Sequence, residues 1–158
     1  MLGAVFLGHP GCVATMRDLG VFVSEPSTSV RMRAAQEFAI RMGHVDIEQL
    51  KQYLSPNVVY RVPGRQALAG SFHGIDEVFA HLHALAERTG GTFNPYKFED
   101  WLMGANSVAA VVDVHIQEPG AILTERILFL FGFDGSDLIS EIGVFFQNEG
   151  AIERFFAI

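Results

Sequence analysis

The second half of the chain most constrains the fold, because it consists of four long β-prone segments separated by short turns. The turns contain glycine, proline, asparagine and aspartate, which is typical of hairpin connections. This spacing predicts an antiparallel meander, and strands of this length bend strongly enough to wrap around a helix. The four segments are about Phe93–Leu102, Val108–Gln117, Ile122–Phe133 and Leu138–Gln147.

Three helices are predicted ahead of the meander, because apolar residues recur at helical spacing in about Val30–Met42, Asp46–Leu54 and Ile75–Arg88. Ser29 is the expected N-cap of the first helix, and a short strand, about Asn57–Val62, precedes the third. Helices followed by long, hairpin-linked strands indicate an α+β fold. We therefore expect three N-terminal helices packed on a strongly curved, mostly antiparallel sheet that encloses an apolar pocket.

The length of the chain suits one domain with an ample apolar core. It has 158 residues, 49% of them hydrophobic and 14 of them Phe. We expect residues 1–28 to be an N-terminal extension and residues 29–158 to form the domain. The extension lacks the basic start of a secretory signal, and its segment Gly20–Val23 is interpreted either as an extra strand or as part of a start-site artefact. The single cysteine, Cys12, allows no intrachain disulfide and fits a reducing, cytoplasmic setting.

The charge balance and the motifs exclude several partners. The chain has 11 basic and 18 acidic residues and a formal net charge of -7. Since it has no basic run, neither nucleic acid nor an anionic membrane is an expected partner. The sequence contains no HExxH, CxxC or carboxylate-rich loop, so no metal site is predicted. It also has no glycine-rich phosphate loop, and we expect no cofactor.

The stretch Tyr60–Val78 and the last predicted hairpin, Phe131–Phe146, resemble the nuclear transport factor 2-like superfamily. The nearest branch is that of SnoaL-like polyketide cyclases and ketosteroid isomerase-like proteins. The resemblance covers about Val30–Ile158 and implies a cystatin-like roll, in which a cone of sheet surrounds the third helix and a pocket for a small hydrophobic molecule. It also implies homodimers formed through the outer face of the sheet. The shared features are Pro63-Gly64, Leu68, Gly70, and Gly74 followed by a helix.

Alternation along the predicted strands separates residues that face the pocket from residues that face outward. In Val108–Gln117 the even-numbered residues are apolar, and we expect them to line the pocket. Glu125 is interpreted either as inward-facing, since it shares a face with Ile127, Phe129 and Phe131, or as a solvated residue near the start of its strand, and the solvated end is the one we expect. The residues predicted to contact a ligand are Phe38, Leu82, Val112, Val114, Phe129, Gly143 and Phe145.

Three residues are candidates for catalysis. On the last strand the resemblance directs Glu141 into the pocket, where burial raises a carboxyl pKa and suits the group to acid or base work near neutral pH. Arg61 lies where ketosteroid isomerases carry their aspartate base. It is interpreted either as a mouth residue paired with a surface acid or as an anion or carbonyl clamp paired with Glu141. His81 lies where relatives often place a pocket-facing aromatic, and it is either a proton-transfer group or a surface or partly buried imidazole.

The residues behind two activities of this fold are missing from the sequence. Phe38 occupies the position of the isomerases' oxyanion-hole tyrosine, and Phe129 lies near that of their protonated aspartate, which excludes ketosteroid isomerisation. Val112 and Val114 stand where limonene-epoxide hydrolases carry an arginine and an aspartate, which excludes that reaction. Two functions remain. One is a cofactor-independent isomerase, cyclase or hydrolase that uses Glu141 as acid or base; the other is a non-catalytic ligand-binding or dimerisation module.

Overall fold

The structure, a computed structural model, describes residues 26–44 and 47–157. Cys12, the predicted extra strand at Gly20–Val23 and the predicted start of the second helix at Asp46 lie outside the described residues. Within them, helices pack on a single sheet, and the predicted α+β class is confirmed.

Three α-helices and one 3₁₀ helix occur in the described part of the chain. The first helix begins at Pro26, since a proline is tolerated in a first helical turn. Ser29 therefore lies inside this helix, and the predicted N-cap is wrong. The second predicted helix is the 3₁₀ helix. The C-terminal helix is capped by Asn148, whose side chain accepts a hydrogen bond from the backbone N–H of Ala151 at 3.0 Å. The helices are α1 (Pro26–Arg41), the 3₁₀ helix (Glu48–Tyr53), α2 (Gly74–Arg88) and α3 (Glu149–Phe156).

Six strands of the described residues form one mixed sheet: β1 (Leu54–Val62), β2 (Gly70–His73), β3 (Asn94–Met103), β4 (Ser107–Glu118), β5 (Ala121–Phe133) and β6 (Ile139–Phe146). Their order across the sheet is β2-β1-β6-β5-β4-β3. The predicted meander is confirmed as β3 to β6, in which neighbouring strands are antiparallel. Strand β1 joins β6 in parallel, and β2, which was not predicted, pairs with β1.

The sheet is curved, and its inner face is the one that packs against the helices. Register shifts interrupt the pairing of β1 with β6, of β3 with β4 and of β5 with β6, and such bulges bend a strand and increase its twist. One continuous cluster of buried apolar side chains lies between the inner face and the helices. Five of the predicted ligand-contacting residues are fully buried in it: Phe38, Leu82, Val112, Val114 and Phe129.

Candidate functional site

Strand β6 turns the side chain of Glu141 away from the core. Ile142 and Val144 are buried on the inner face, so the residues that alternate with them lie on the outer face. The Glu141 side chain is 58% exposed, and Phe145 is 51% exposed. The predicted inward orientation of Glu141, Gly143 and Phe145 is therefore wrong. Ile142 and Val144 take the inner face because the burial of their apolar side chains is favourable.

Arg61 lies beside Glu141 on the outer face. Strand β1 runs parallel to β6, with Arg61 opposite Gly143 and Val59 opposite Glu141. The Arg61 Nη1 atom donates a hydrogen bond to Glu141 Oε1. Both side chains are more than half exposed, so water screens the pair and its contribution to stability is only about 0–1 kcal/mol. Glu141 is thus an exposed, ion-paired carboxylate and not the buried one that the resemblance implies.

A hollow of about 660 Å³ surrounds this ion pair on the outer face. Gly132 and Gly143 lie in its lining and contribute no side chain, which leaves the hollow open. The ring of Phe145 lies over Gly143, where an added Cβ would come within 3.2 Å of the ring. Leu130, 40% exposed, is another part of the lining. The hollow therefore combines apolar side chains with one pair of opposite charges.

A much smaller cavity, the inner cavity, lies between the inner face of the sheet, α2 and α3. Its volume is about 40 Å³, and apart from Gln66 and His81 its lining is apolar, with Phe129, Val144 and Phe156 among the lining residues. A water molecule occupies about 30 Å³ in the liquid, so the inner cavity admits about one water-sized group. The predicted apolar interior is present, but side chains fill nearly all of it.

His81 is the one ionisable side chain among the described residues that line the inner cavity. The residue lies on α2 and is 5% exposed. Its ring stacks on Phe72, with centroids 4.1 Å apart, and meets Tyr60 edge-on at 5.1 Å. Burial lowers the pKa of His81 to about 4, so the imidazole is neutral near pH 7. His81 is therefore a buried imidazole beside the inner cavity, and its role in proton transfer stays a prediction.

The structure divides the predicted site between the two faces of the sheet. Arg61 and Glu141 meet on the outer face, whereas His81 lies on the inner side, so the three candidates for catalysis do not converge. Gly143 and Phe145 belong to the outer hollow. Of the five predicted ligand-contacting residues that are buried on the inner side, Phe129 is the one that lines the inner cavity.

Three residues near the inner cavity are not predicted from the sequence. Phe72 covers the His81 ring from β2, which the sequence indicates as a loop. Gln66 lies in the loop before β2, where no periodicity indicates its burial. The alternation of large apolar residues along β1 is the signal that could have identified Tyr60 as an inward-facing residue.

Glu125 is buried, which corrects the expectation of a solvated strand end. Its Oε1 atom accepts a hydrogen bond from the backbone N–H of Asn148 at 2.6 Å. This contact fixes the beginning of α3 against β5. Ile152 and Phe156 of α3 then complete one side of the inner cavity.

Several acidic side chains of the outer face are engaged in ion pairs. Arg126 contacts Asp113 at 2.7 Å and Glu99 at 2.9 Å, and this guanidinium lowers the pKa of Asp113. Among the described residues, no three His, Cys, Asp or Glu side chains are grouped so that they could hold a metal ion. None of the helices in residues 26–44 and 47–157 has the length and apolar character needed to cross a membrane.

Several solved structures have the same fold as this chain. Bal32a, from a soil-derived mobile gene cassette, has a TM-score of 0.76 at 19% identity, covering 82% of this chain and 98% of that chain. A nuclear transport factor 2-like protein from Anabaena variabilis has a TM-score of 0.68 at 13% identity, covering 79% and 92%. TerC, co-crystallised with polyporic acid, has a TM-score of 0.67 at 15% identity, covering 85% and 100%. The chain therefore has the nuclear transport factor 2-like fold, and the fold that the resemblance implies is confirmed.

Curated relatives define the family more narrowly. Uncharacterised proteins of Mycobacterium tuberculosis and Mycobacterium bovis are each 34% identical over 113 residues, which cover 71% of this chain and 85% of the relative. No protein-family model matches the chain. The chain belongs to the family of these mycobacterial proteins.

Proposed function

We propose that this protein binds a small hydrophobic molecule in the inner cavity and that Glu141 takes no part as an acid or base. The lining of the inner cavity carries the proposal, because apolar side chains there surround a single imidazole and a single amide. Small-molecule sites typically have mostly apolar walls and a few polar groups. Of the two functions that the sequence leaves open, this is the non-catalytic ligand-binding module.

The inner cavity needs more volume to hold such a ligand. It measures about 40 Å³, whereas ligand pockets usually measure about 300–1,000 Å³. Ile152 and Phe156 of α3 close one side of it. We therefore expect α3 to move aside when the ligand enters, so that the ligand takes the volume of these two side chains.

The length of α3 and its contacts with the rest of the fold are compatible with such a movement. The helix has eight residues, a length at which helices are marginal in water unless they pack against other elements. Its polar contacts include the bond from Asn148 N–H to Glu125 and a bond from the Arg65 N–H to Glu153 Oε1 at 3.0 Å. The similarity to TerC, which was co-crystallised with polyporic acid, also supports a small-molecule ligand.

The uncharged fluorescent amine 1-aminoanthracene tests the proposal. We expect its fluorescence to rise saturably with the wild-type protein. Val144→Phe fills the inner cavity and should weaken binding about tenfold or more. Phe145→Leu, the next residue along β6, points to the outer face and is the matched control that should bind normally. A wild-type protein without saturable binding, or equal affinities for both variants, would contradict the proposal.

The outer face supports a second candidate function, self-association. Leu102, Leu130 and Phe145 are 53%, 40% and 51% exposed there, on the face that carries the 660 Å³ hollow. Clustered, exposed apolar side chains mark interaction surfaces, and the family resemblance implies homodimers through this face. We propose that a second copy of the chain covers it in a two-fold dimer, in which the same patch serves both copies.

Sedimentation velocity tests this second candidate. We expect the wild-type protein to sediment as a dimer at micromolar concentration and Leu130→Lys to sediment as a monomer, because the lysine places a charge in the apolar contact. Ile40→Lys, at an exposed apolar residue of α1 and not on the sheet, is the control that should remain dimeric. A wild-type protein that is monomeric at every concentration would overturn the idea.

A further inference from the structure

The ring nitrogens of His81 make no hydrogen bond within the described residues, yet they are not sealed from a water-sized group. The residue is 5% exposed, and no hydrogen bond or ion pair joins it to another residue in the part of the chain that the structure describes. Its ring instead contacts the rings of Phe72 and Tyr60. A polar group with so little access to solvent gains stability from a hydrogen-bond partner. Because His81 lines the inner cavity, we expect its partner to be a group that occupies this cavity.

Gln66 supplies a second polar group at the inner cavity. Its Oε1 accepts a hydrogen bond from the backbone N–H of Leu68 at 2.6 Å. The side-chain NH₂ group makes no hydrogen bond to any residue within 26–44 or 47–157. The lining of this space of about 40 Å³ thus contains an imidazole and an amide, and a polar group that bonds to both would supply the partners that they lack.

The absence of charge around the inner cavity restricts what that polar group can be. No Lys, Arg, Asp or Glu occurs among the described lining residues. A carboxylate or ammonium group would lose its hydration there without gaining a counter-ion, which is costly. Burial also keeps His81 neutral near pH 7, since its pKa is lowered to about 4. A neutral imidazole has one donor and one acceptor nitrogen.

We infer that the ligand is an uncharged hydrophobic alcohol or phenol, whose hydroxyl group bonds to His81 and Gln66 and whose hydrocarbon part takes the place of Ile152 and Phe156. A hydroxyl group donates to the acceptor nitrogen of the imidazole and accepts from the amide. A ketone oxygen only accepts, so it can bond to the donor nitrogen of the imidazole but not to the acceptor nitrogen, whereas a hydroxyl group can bond to either. The inference rests on the proposed function, because it names the class of ligand for the same cavity.

Three naphthalenes that differ in one substituent test the inference: 2-naphthol, 2-methylnaphthalene and 2-naphthoate. Their Kd values are measured at pH 7 by displacement of 1-aminoanthracene and by NMR titration. We expect 2-naphthol to bind about tenfold more tightly than 2-methylnaphthalene and 2-naphthoate to bind most weakly. In His81→Phe the preference for the hydroxyl should disappear while 2-methylnaphthalene keeps its affinity. His83→Phe, exposed on the same helix, is the matched control that should keep the preference.

The outcomes separate the inference from the proposed function. Equal affinities of the wild-type protein for 2-naphthol and 2-methylnaphthalene, tightest binding of 2-naphthoate, or a preference that survives His81→Phe overturns the inference alone. Failure of all three compounds to bind overturns the proposed function and the inference together. If His81→Phe does not fold, as judged by circular dichroism, His81→Leu and His81→Asn replace it. Asn keeps a donor and an acceptor and should retain part of the preference, whereas Leu should abolish it.

Discussion

Arg61 and Glu141 form an ion pair on the outer face of the sheet, and the next inward-facing residues of β6 belong to the buried core. The parallel register of β1 and β6 brings the two side chains together. The sheet itself therefore separates Glu141 from the imidazole of His81. The carboxylate that the sequence indicates as an acid or base and the cavity that is proposed to hold the ligand lie on opposite faces.

Removing the charge of Glu141 should leave ligand binding intact. In Glu141→Gln we expect the Kd for 1-aminoanthracene to stay within about twofold of the wild-type value. The free energy of unfolding should fall by less than about 1 kcal/mol, because the lost ion pair is exposed. Fluorescence titration and urea unfolding measure the two quantities. A tenfold loss of affinity would show that this carboxylate acts in the ligand site.

His81 should make the stability of the protein depend on pH. Burial lowers its pKa to about 4 in the folded state, against about 6.5 in the unfolded state. Between these values the unfolded state binds more protons, so stability is complete above about pH 6.5 and falls towards pH 4, by up to about 3 kcal/mol. Urea unfolding at pH 7 and pH 4.5 measures the loss, which should shrink in His81→Phe.

The carboxylates that also affect acid stability act at lower pH. Arg126 lowers the pKa of Asp113, and the backbone N–H of Ser136 lowers that of Asp134. The stability that these two carboxylates contribute is therefore lost as the pH falls below the ordinary pKa of a carboxyl group. This pH interval lies below the one in which His81 acts. An equal loss between pH 7 and pH 4.5 in the wild-type protein and in His81→Phe would contradict the assignment to His81.

The two faces of the sheet should respond differently to the loss of a phenyl ring. Phe129 is fully buried and stacks on Phe131, whereas Phe145 is half exposed. We expect Phe129→Ala to lower the free energy of unfolding by about 3–5 kcal/mol and Phe145→Ala to lower it by about 1 kcal/mol or less. Urea unfolding of both variants checks this. Equal losses would show that the assignment of the two faces is wrong.

Glu125 should control how readily α3 leaves the inner cavity. Glu125→Ala removes the acceptor of the Asn148 N–H, so the amides of α3 should exchange with solvent about tenfold faster, and 1-aminoanthracene should bind more tightly. Glu125→Gln keeps an acceptor oxygen and is the control. Unchanged hydrogen exchange of Glu149–Phe156 in Glu125→Ala would show that this contact does not hold the helix.

The parts of the fold that the sequence predicts are those set by local contacts. Strands β3 to β6 follow one another through short turns. The alternation of apolar and polar residues along each strand, together with the turn residues, is therefore sufficient to predict them. Strand β2 has four residues inside a segment rich in glycine and proline, and it forms because β1 offers an edge for pairing. The parallel pairing of β1 with β6 joins residues about 80 positions apart, such as Val59 and Glu141, which no local pattern encodes.

The candidate site was harder to predict than the fold. The apolar character of Ile142 and Val144 favours their burial, and by alternation this directs Glu141 outward; the family resemblance led to the opposite orientation. Whether His81 is buried cannot be decided from α2 alone, because an imidazole is compatible with either environment. The volume of the inner cavity depends on α3, which packs there from the far end of the described chain.

The position of a bound ligand tests the central claim most directly. Isotope-filtered NMR spectra of the protein with 2-naphthol report which side chains lie within a few ångströms of the ring. We expect contacts to Ile127, Phe129 and His81 on the inner side. Contacts to Leu130 and Phe145 instead would locate the ligand in the outer hollow and contradict the assignment of the inner cavity as the binding site.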